Sequence, residues 1–168
     1  MVTYYPEAGN IDTIQARIAR LASMGECAWS VGEGHALIRS RPGAHVMTAR
    51  VRINERDCGT FIVDTGATLV VLSRRAAVLL ALDLGGAPRL YTQTANGVGS
   101  GSAVVLDKVE VQGVRAARVS AAVVDELAGV DGLLGMSFLS RFDLNRSNGV
   151  LEIKARKHTL MVMPNPAL

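Results

Sequence analysis

The stretch of sequence that decides the fold is Phe61-Ile62-Val63-Asp64-Thr65-Gly66-Ala67-Thr68-Leu69-Val70-Val71-Leu72. It places one acidic residue and one glycine inside a run of apolar and β-branched residues, and such runs are typical of buried strands. A carboxylate in that setting costs free energy unless it is paired, hydrogen-bonded or protonated. Asp64 therefore needs an explanation, which its neighbours and more distant parts of the chain can supply.

The tripeptide Asp64-Thr65-Gly66 is suited to holding a reactive carboxylate. Gly66 can adopt backbone angles that other residues avoid, and its N–H can point back at the Asp64 carboxylate. Two carboxylates brought within about 3 Å cannot both be ionised, so they share one proton. The ionised one then acts as a general base on a water while the protonated one polarises a carbonyl, and this hydrolyses amides without a metal.

That chemistry needs two aspartates, but the chain has one Asp-Thr-Gly and no Asp-Ser-Gly. Asp131-Gly132 lacks the intervening Thr or Ser, and we interpret Asp131 and Asp125 as loop and turn residues. The simplest solution is a two-fold symmetric homodimer in which each subunit contributes Asp64. The length of the chain agrees, because one lobe of this size is half of a two-lobed enzyme.

The composition indicates one folded domain with a sizeable core. Of the 168 residues, 49% are hydrophobic and 20% are charged. The mean hydropathy is +0.25, which argues against disorder. No apolar run reaches transmembrane length. Residues 1–7 lack the basic-then-apolar layout of a signal peptide, so the chain as given is expected to be soluble.

A nucleic-acid partner is not expected. The net charge is only +3, and aromatic residues make up 4% of the chain, so there is no visible platform for stacking bases. We interpret the basic zone as a solvated face of a strand and loop. It consists of Arg39, Arg41, Arg50, Arg52 and Arg56.

The cysteines and histidines do not form a metal site in the sequence pattern. Cys27 and Cys58 make no Cys-x-x-Cys pair, which leaves a single disulfide and two buried free thiols as alternatives. His35, His45 and His158 share no ligand spacing. We therefore expect no metal and no cofactor.

The pattern of apolar residues predicts a mainly β chain preceded by a helix. Isoleucines and a leucine at helical spacing predict an amphipathic helix over residues 10–24, and glycine-rich residues 25–44 predict a linker with a short strand near 36–38. Strands are predicted over residues 47–53, 60–64, 68–72, 89–95, 102–111, 114–124, 143–145, 150–154 and 158–163. Turns are predicted at residues 54–59, 112–113 and 148–149, with a glycine-rich hairpin tip at 96–101.

Two short helices are predicted within the β region. Ser73 can cap a helix that runs through Leu82 with Ala76, Leu79 and Leu80 on its inner face. A second helix is predicted over residues 136–141. Many short strands with few helices indicate a small closed or folded-over barrel.

Three segments together resemble the retropepsin-type aspartic proteases, and in particular the bacterial retropepsin-like proteins. Those proteins carry a D-T-G-A-T catalytic loop, a Q-T-A-N-G segment in the flap, and a late G-L-L-G-M-x-F-L segment. Here Asp64–Thr68, Gln93–Gly97 and Gly132–Leu139 match these in the same order. The resemblance covers about residues 44–155.

The resemblance implies a small closed barrel of the acid protease type, an active site formed by a homodimer, and hydrolysis of peptide bonds. In the family pattern Asp64 is catalytic, and Thr65, Gly66, Ala67 and Thr68 support the catalytic loop. The strand behind that loop is implied to be Leu133, Leu134 and Gly135. The flap, about residues 92–103, is implied to cover substrate with Thr94, Ala95, Asn96, Gly97, Val98 and Gly99.

The resemblance also frames the remaining expectations. Residues 1–43 are predicted to be a helix and linker extension, and residues 44–168 the protease domain. The partners implied are a second copy of the chain and a protein or peptide substrate, and similar bacterial proteins are envelope proteins with an anchor. The alternative is a dimeric peptide-binding or scaffold module that keeps the fold without cleaving.

Two finer expectations concern the substrate and the dimer. Apolar candidates near the site are Val70, Val98, Val130 and Leu133, which suggests apolar side chains beside the scissile bond; Tyr91 is either a substrate contact or an ordinary strand aromatic. Terminal strands knit the dimers of this family, and residues 151–153 and 160–162 are the candidates here.

Overall fold

The computed structural model describes residues 3–5, 34–41, 43–94, 97–125, 127 and 129–156. Two short helices lie among them, α1 (Arg74–Leu79) and α2 (Met136–Leu139). The strands are β1 (Thr3–Tyr5), β2 (His35–Arg39), β3 (Thr48–Ile53), β4 (Arg56–Val63), β5 (Val70–Ser73), β6 (Arg89–Thr94), β7 (Gly97–Val111), β8 (Val114–Val124), β9 (Gly132–Leu134), β10 (Phe142–Ser147) and β11 (Val150–Ala155).

A closed barrel is formed by β3, β4, β5, β7, β8 and β9. The sheet runs in the order β1-β6-β7-β3-β4-β9-β5-β8, and β8 also pairs with β7, which closes a ring of 6 strands. The hairpin of β6 and β7 extends from this ring, and β1 lies at its outer edge. The prediction of a mainly β, small closed barrel with short helices is confirmed.

Alternation of side chains explains how these strands build the core. In β3, Ala49, Val51 and Ile53 are buried, while the residues between them face outward. This period of two is the one that the sequence predicts for residues 47–53. Helix α2 adds Phe138 and Leu139 to the same core.

A second, three-stranded sheet lies beside the barrel in the order β10-β11-β2. The strand predicted near residues 36–38 is present as β2, which buries Ala36 and Ile38 and leaves Leu37 44% exposed. Because β11 pairs with β10 on one side and β2 on the other, both of its edges are taken. The prediction that residues 151–153 join a partner subunit by strand pairing is therefore wrong.

The predicted turn over residues 54–59 is shorter in the structure. Asn54 and Glu55 both have left-handed backbone angles, with φ of 48° and 66°, which complete the turn in two residues. β4 therefore begins at Arg56. The predicted turns at residues 112–113 and 148–149 are confirmed.

The glycine-rich segment is mostly strand rather than hairpin tip. β7 begins at Gly97, which pairs with Thr94 of β6, so the predicted hairpin tip is wrong for residues 97–101, and residue 96 lies outside the described residues. Gly101 has a packing reason, because a Cβ built there would lie 2.6 Å from Val123 O on the neighbouring β8. Glycine lets these two strands approach closely.

Helix α1 begins as predicted and ends early. The Ser73 hydroxyl accepts a hydrogen bond from Ala76 N at 3.2 Å, which confirms the cap. The helix ends at Leu79 instead of Leu82, because Ala81 takes a left-handed φ of 53°. Leu79 is 52% exposed, so its predicted place on the inner face is wrong. Helix α2 also stops early, at Leu139.

Several predicted features lie outside the described residues. They are the helix over residues 10–24, the strand over 158–163 with the candidate dimer strand 160–162, and the side chains of Cys27 and His158. The boundary between residues 43 and 44 stays a prediction. Cys58 is a buried free thiol. Neither helix in the described part of the chain has the length and apolar character needed to span a membrane.

Candidate active site

Asp64 stands at the end of β4, directly after a strand that the barrel holds on both sides. β4 pairs with β3 and, in parallel, with β9, where Val63 lies opposite Leu134. The Asp64 backbone N–H continues this pairing by donating to Leu134 O at 3.1 Å. The carboxylate is half-buried, so it is supported by rigid backbone and still open to solvent.

The loop after Asp64 folds back toward its carboxylate. Gly66 N donates to Asp64 Oδ1 at 2.8 Å, and Ala67 N donates to Asp64 O at 3.2 Å. Ala67 is fully buried and fastens the loop to the core, while Thr65, Gly66 and Thr68 are exposed. The carboxylate is thus oriented by a backbone donor that the Asp-Thr-Gly sequence itself provides.

The Leu133-Leu134-Gly135 segment lies directly behind this loop. Met136 N donates to Ala67 O at 2.8 Å, and Ser137 N donates to Thr68 O at 2.9 Å. A Cβ built on Gly135 would lie only 2.0 Å from Leu69 O, so the two segments are in backbone contact. The structure therefore brings together two segments that are far apart in the sequence and that the sequence assigns to one site.

Ser137 is a supporting residue to which sequence reasoning gave no role. Its hydroxyl accepts a hydrogen bond from Val70 N at 2.8 Å and donates one to Ser120 O at 2.7 Å. It thereby links the strand after the Asp64 loop, helix α2 and β8. In the sequence, this role was indicated only by the position of Ser137 inside the Gly132–Leu139 segment, two residues after Gly135, which touches the loop.

Replacing Ser137 by alanine is expected to lower the free energy of unfolding by about 2 kcal/mol. The change leaves the fully buried N–H of Val70 and the carbonyl of Ser120 without their partner. Urea unfolding of the variant measures the loss. Ser140→Ala is the matched control, because Ser140 is exposed at the end of the same helix. Equal midpoints for the two variants would contradict this role for Ser137.

Arg141 fixes the far end of helix α2. Its guanidinium donates from Nη1 to Ala117 O at 2.6 Å, from Nη2 to Arg118 O at 2.8 Å and from Nε to Ser137 O at 3.1 Å. Burial lowers the pKa of this guanidinium. The three carbonyls hold it in place as a structural cation that ties α2 to β8.

Asp131 and Asp125 have structural roles that agree with their interpretation as loop residues. Asp131 Oδ2 accepts from Thr60 N at 2.9 Å, and Asp131 O accepts from Ser73 N at 3.0 Å, so Asp131 connects β4 and β5. Asp125 forms an exposed ion pair with Arg74 at 2.8 Å. Neither aspartate accompanies Asp64 on its loop.

The segment that the sequence assigns to the flap forms the hairpin of β6 and β7. Thr94 pairs with Gly97, and Gly99 pairs with Thr92 and is exposed. Ala95 and Asn96 lie outside the described residues, and Val98 is described by its backbone only.

The apolar residues predicted to contact substrate divide in the structure. Val70 is fully buried, so it belongs to the core and cannot contact substrate. Val130 and Leu133 are half-buried. Leu69, which was not among these candidates, lines a small apolar cavity of about 30 Å³. The other residues that line it are Pro88, Ala103, Val104, Val105, Ser120 and Ala121.

A metal-binding arrangement is not found in the part of the chain that the structure describes. No group of three or more His, Cys, Asp or Glu side chains lies close enough there to hold an ion.

Comparisons with known proteins bear on this geometry. The sequence model of the family described as "gag-polyprotein putative aspartyl protease" matches residues 49–141, a range that contains the Asp64 loop, the flap and Gly132–Leu139. The solved structure of a retropepsin-like aspartic protease from Rickettsia conorii superposes with a TM-score of 0.57 and 28% sequence identity, covering 75% of this chain and 95% of that chain. A comparison with curated proteins finds no match.

Proposed function

This chain belongs to the retropepsin-like aspartic proteases, and from that premise we propose that it is an endopeptidase whose active site forms from the Asp64 residues of two identical subunits. The observation that carries the proposal is the half-buried Asp64 carboxylate, held by Gly66 N at 2.8 Å on a loop with backbone support on several sides. The sequence has one Asp-Thr-Gly and no Asp-Ser-Gly, so a second carboxylate of this kind has to come from a second copy.

The two carboxylates divide the work. When they lie within about 3 Å of each other they hold one proton between them. The ionised Asp64 removes a proton from the water that attacks the scissile carbonyl, and the protonated Asp64 donates a hydrogen bond to the carbonyl oxygen. The proton taken from water then passes to the leaving amine, which restores the shared proton. No covalent intermediate is needed.

The backbone of the loop keeps this geometry fixed. The N–H of Gly66 bonds one carboxylate oxygen, so the other oxygen is left to face the partner carboxylate and the water. The exposed Thr65 can bond a backbone group across the subunit interface. An extended protein or peptide substrate binds between this floor and the flap by strand addition.

We place the subunit contact at the edge of β10 that faces away from β11 and has no strand partner among the described residues. Ser40 N donates to Gly149 O and Ala155 N donates to Gly34 O, so the odd-numbered residues of β11 bond to the β2 side. Leu144 lies opposite Ile153, so its own N–H and C=O face away from β11. Helix α2 donates backbone hydrogen bonds to the Asp64 loop, and β10 follows α2 directly in the chain. A two-fold axis at the edge of β10 is therefore linked to the Asp64 loop through α2.

Mixing active and inactive subunits tests the proposal. In an equimolar mixture of wild-type and Asp64→Asn chains with free subunit exchange, cleavage of denatured casein is expected to fall to about a quarter of that of wild type alone at the same total concentration. The reason is that only wild-type pairs, one quarter of random dimers, contain two aspartates.

The alternatives give different values. Chains that work singly would retain about half of the activity, because half of the chains are wild type. A mixture of wild type with buffer is the control for dilution. Absence of casein cleavage by wild type between pH 3 and 7 would favour a binding or scaffold module and would contradict the endopeptidase.

A further inference from the structure

The outer edge of the flap is occupied by another segment of this chain. β1 (Thr3–Tyr5) pairs antiparallel with β6, with Thr3 opposite Gln93, Tyr4 opposite Thr92 and Tyr5 opposite Tyr91. β6 is thus the middle strand of three, between β7 and β1. The predicted helix and linker lie between β1 and the barrel in sequence, so this pairing joins two segments about 90 residues apart.

The direction of the backbone bonds follows from one contact. Ala103 N donates to Pro88 O at 2.8 Å, so Pro88 faces β7, and in an antiparallel pair every second residue does the same. Leu90 and Thr92 therefore bond to β7. Tyr91 and Gln93 direct their N–H and C=O groups to the other edge, toward Tyr5 and Thr3.

This edge carries the kind of backbone groups that an extended peptide needs. Strand addition requires a row of unpaired N–H and C=O groups. On its side away from β6, β7 pairs with β8 from Gly101 onward. On its side away from β7, β6 has β1 as its neighbour in the described chain. A substrate strand that bonds to Tyr91 and Gln93 would have to take the place of β1.

We propose that residues 3–5 act as an internal competitor of substrate: they pair with the flap edge at Tyr91 and Gln93, and peptide binding displaces them. This inference rests on the proposed function, because it assumes that substrate adds to the flap. A three-residue strand with two hydrogen-bonded pairs is only marginally stable, so it exchanges with substrate instead of blocking the site. It raises KM by the inverse of the fraction of time that the edge is free.

Nuclear magnetic resonance of the full chain tests the pairing without any assay of activity. Tyr4 and Thr92 form a non-hydrogen-bonded pair, in which the two Cα atoms are about 4.5 Å apart, so a cross-peak between their α-protons is expected. Amide exchange at Tyr91 and Gln93 is expected to be slowed. The double variant Thr3→Pro/Tyr5→Pro removes both N–H groups that face β6, and it should abolish the cross-peak and the protection.

Tyr4→Pro is the matched control. It makes the same chemical change one residue away, at an N–H that faces away from β6, so the pairing at Thr3 and Tyr5 should persist. In casein hydrolysis the double variant is expected to show a KM about five-fold lower than wild type at unchanged kcat, if β1 occupies the edge about four-fifths of the time. Tyr4→Pro should keep the wild-type KM.

Each outcome supports or overturns the proposal that β1 competes with substrate for the edge of β6. Absence of the Tyr4–Thr92 cross-peak in wild type, or an equal KM for the double variant and wild type, overturns it. If neither wild type nor any variant cleaves casein, the proposed function fails. The displacement of β1 is then tested with the statine-containing inhibitor pepstatin A in place of substrate. Loss of the cross-peak on its addition still supports displacement of β1, and an unchanged cross-peak at saturation, or no binding, overturns it.

Discussion

Asp64→Asn is expected to lower kcat for casein hydrolysis by at least about 1,000-fold and to leave the fold intact. An amide cannot take a proton from water at neutral or acidic pH, and a pair of amides cannot share one. The carboxamide oxygen still accepts the hydrogen bond from Gly66 N, so the loop keeps its shape. Initial rates from single-turnover and steady-state assays measure the loss, and thermal unfolding checks the fold.

The chain offers a close structural control for this change. Asp83 Oδ1 accepts from Gly85 N at 2.8 Å, the same bond between residues of the same types at the same spacing as in Asp64-Thr65-Gly66. Asp83 is exposed and lies after α1, away from the loop. Asp83→Asn should therefore keep wild-type kcat. Cleavage by Asp64→Asn at a rate near wild type would assign the activity to another site.

Gly135→Ala is expected to lower the free energy of unfolding by about 3 kcal/mol, a large effect for one methyl group. The new Cβ would lie 2.0 Å from Leu69 O and 2.8 Å from Ala67 O, and both atoms belong to backbone that cannot rotate away. Gly135 has an ordinary φ of −93°, so the cost comes from the contact and not from backbone strain. Urea unfolding with a fixed m-value measures it.

Gly85→Ala is the control for adding a methyl group. A Cβ there would approach only the Asp83 side chain, at 3.0 Å, and that side chain can move. We expect a change of less than about 0.5 kcal/mol. If Gly135→Ala is as stable as Gly85→Ala, the Asp64 loop and the Gly135 segment are not in contact as described.

Local patterns predicted most of the barrel. Alternation in residues 47–53 and the valine- and alanine-rich composition of residues 114–124 identify strands, because a sheet buries alternate side chains and favours β-branched residues. The Asn148-Gly149 pair marks its hairpin because both residues tolerate left-handed angles, with φ of 47° and 74°. The Asp64 loop and Gly132–Leu139 were assigned to one site by resemblance, since no local signal connects them.

The errors fall where tertiary contacts decide the outcome. The glycines at 97–101 look like a turn by composition, yet pairing with β6 holds them in a strand, and Gly101 pairs with β8 as well. Leu79 has the right helical spacing for burial, but the helix ends beside it and leaves it exposed. The pairings of β1 with β6 and of β2 with β11 depend on residues far apart, which a local pattern does not contain.

The ring of the barrel also guards the protein against fibrillar aggregation. A closed ring offers no strand edge on which foreign chains could stack, so in the described part of the chain the open edges lie in the three-stranded sheet and in the hairpin of β6 and β7 with β1. The edge strands of the three-stranded sheet expose polar and charged side chains. They are Asp143, Asn145, Arg146 and Ser147 in β10, and His35 and Arg39 in β2. Polar and charged side chains at an edge disfavour the stacking of an arbitrary strand. The edges of the three-stranded sheet are therefore poor templates for the stacking of foreign strands.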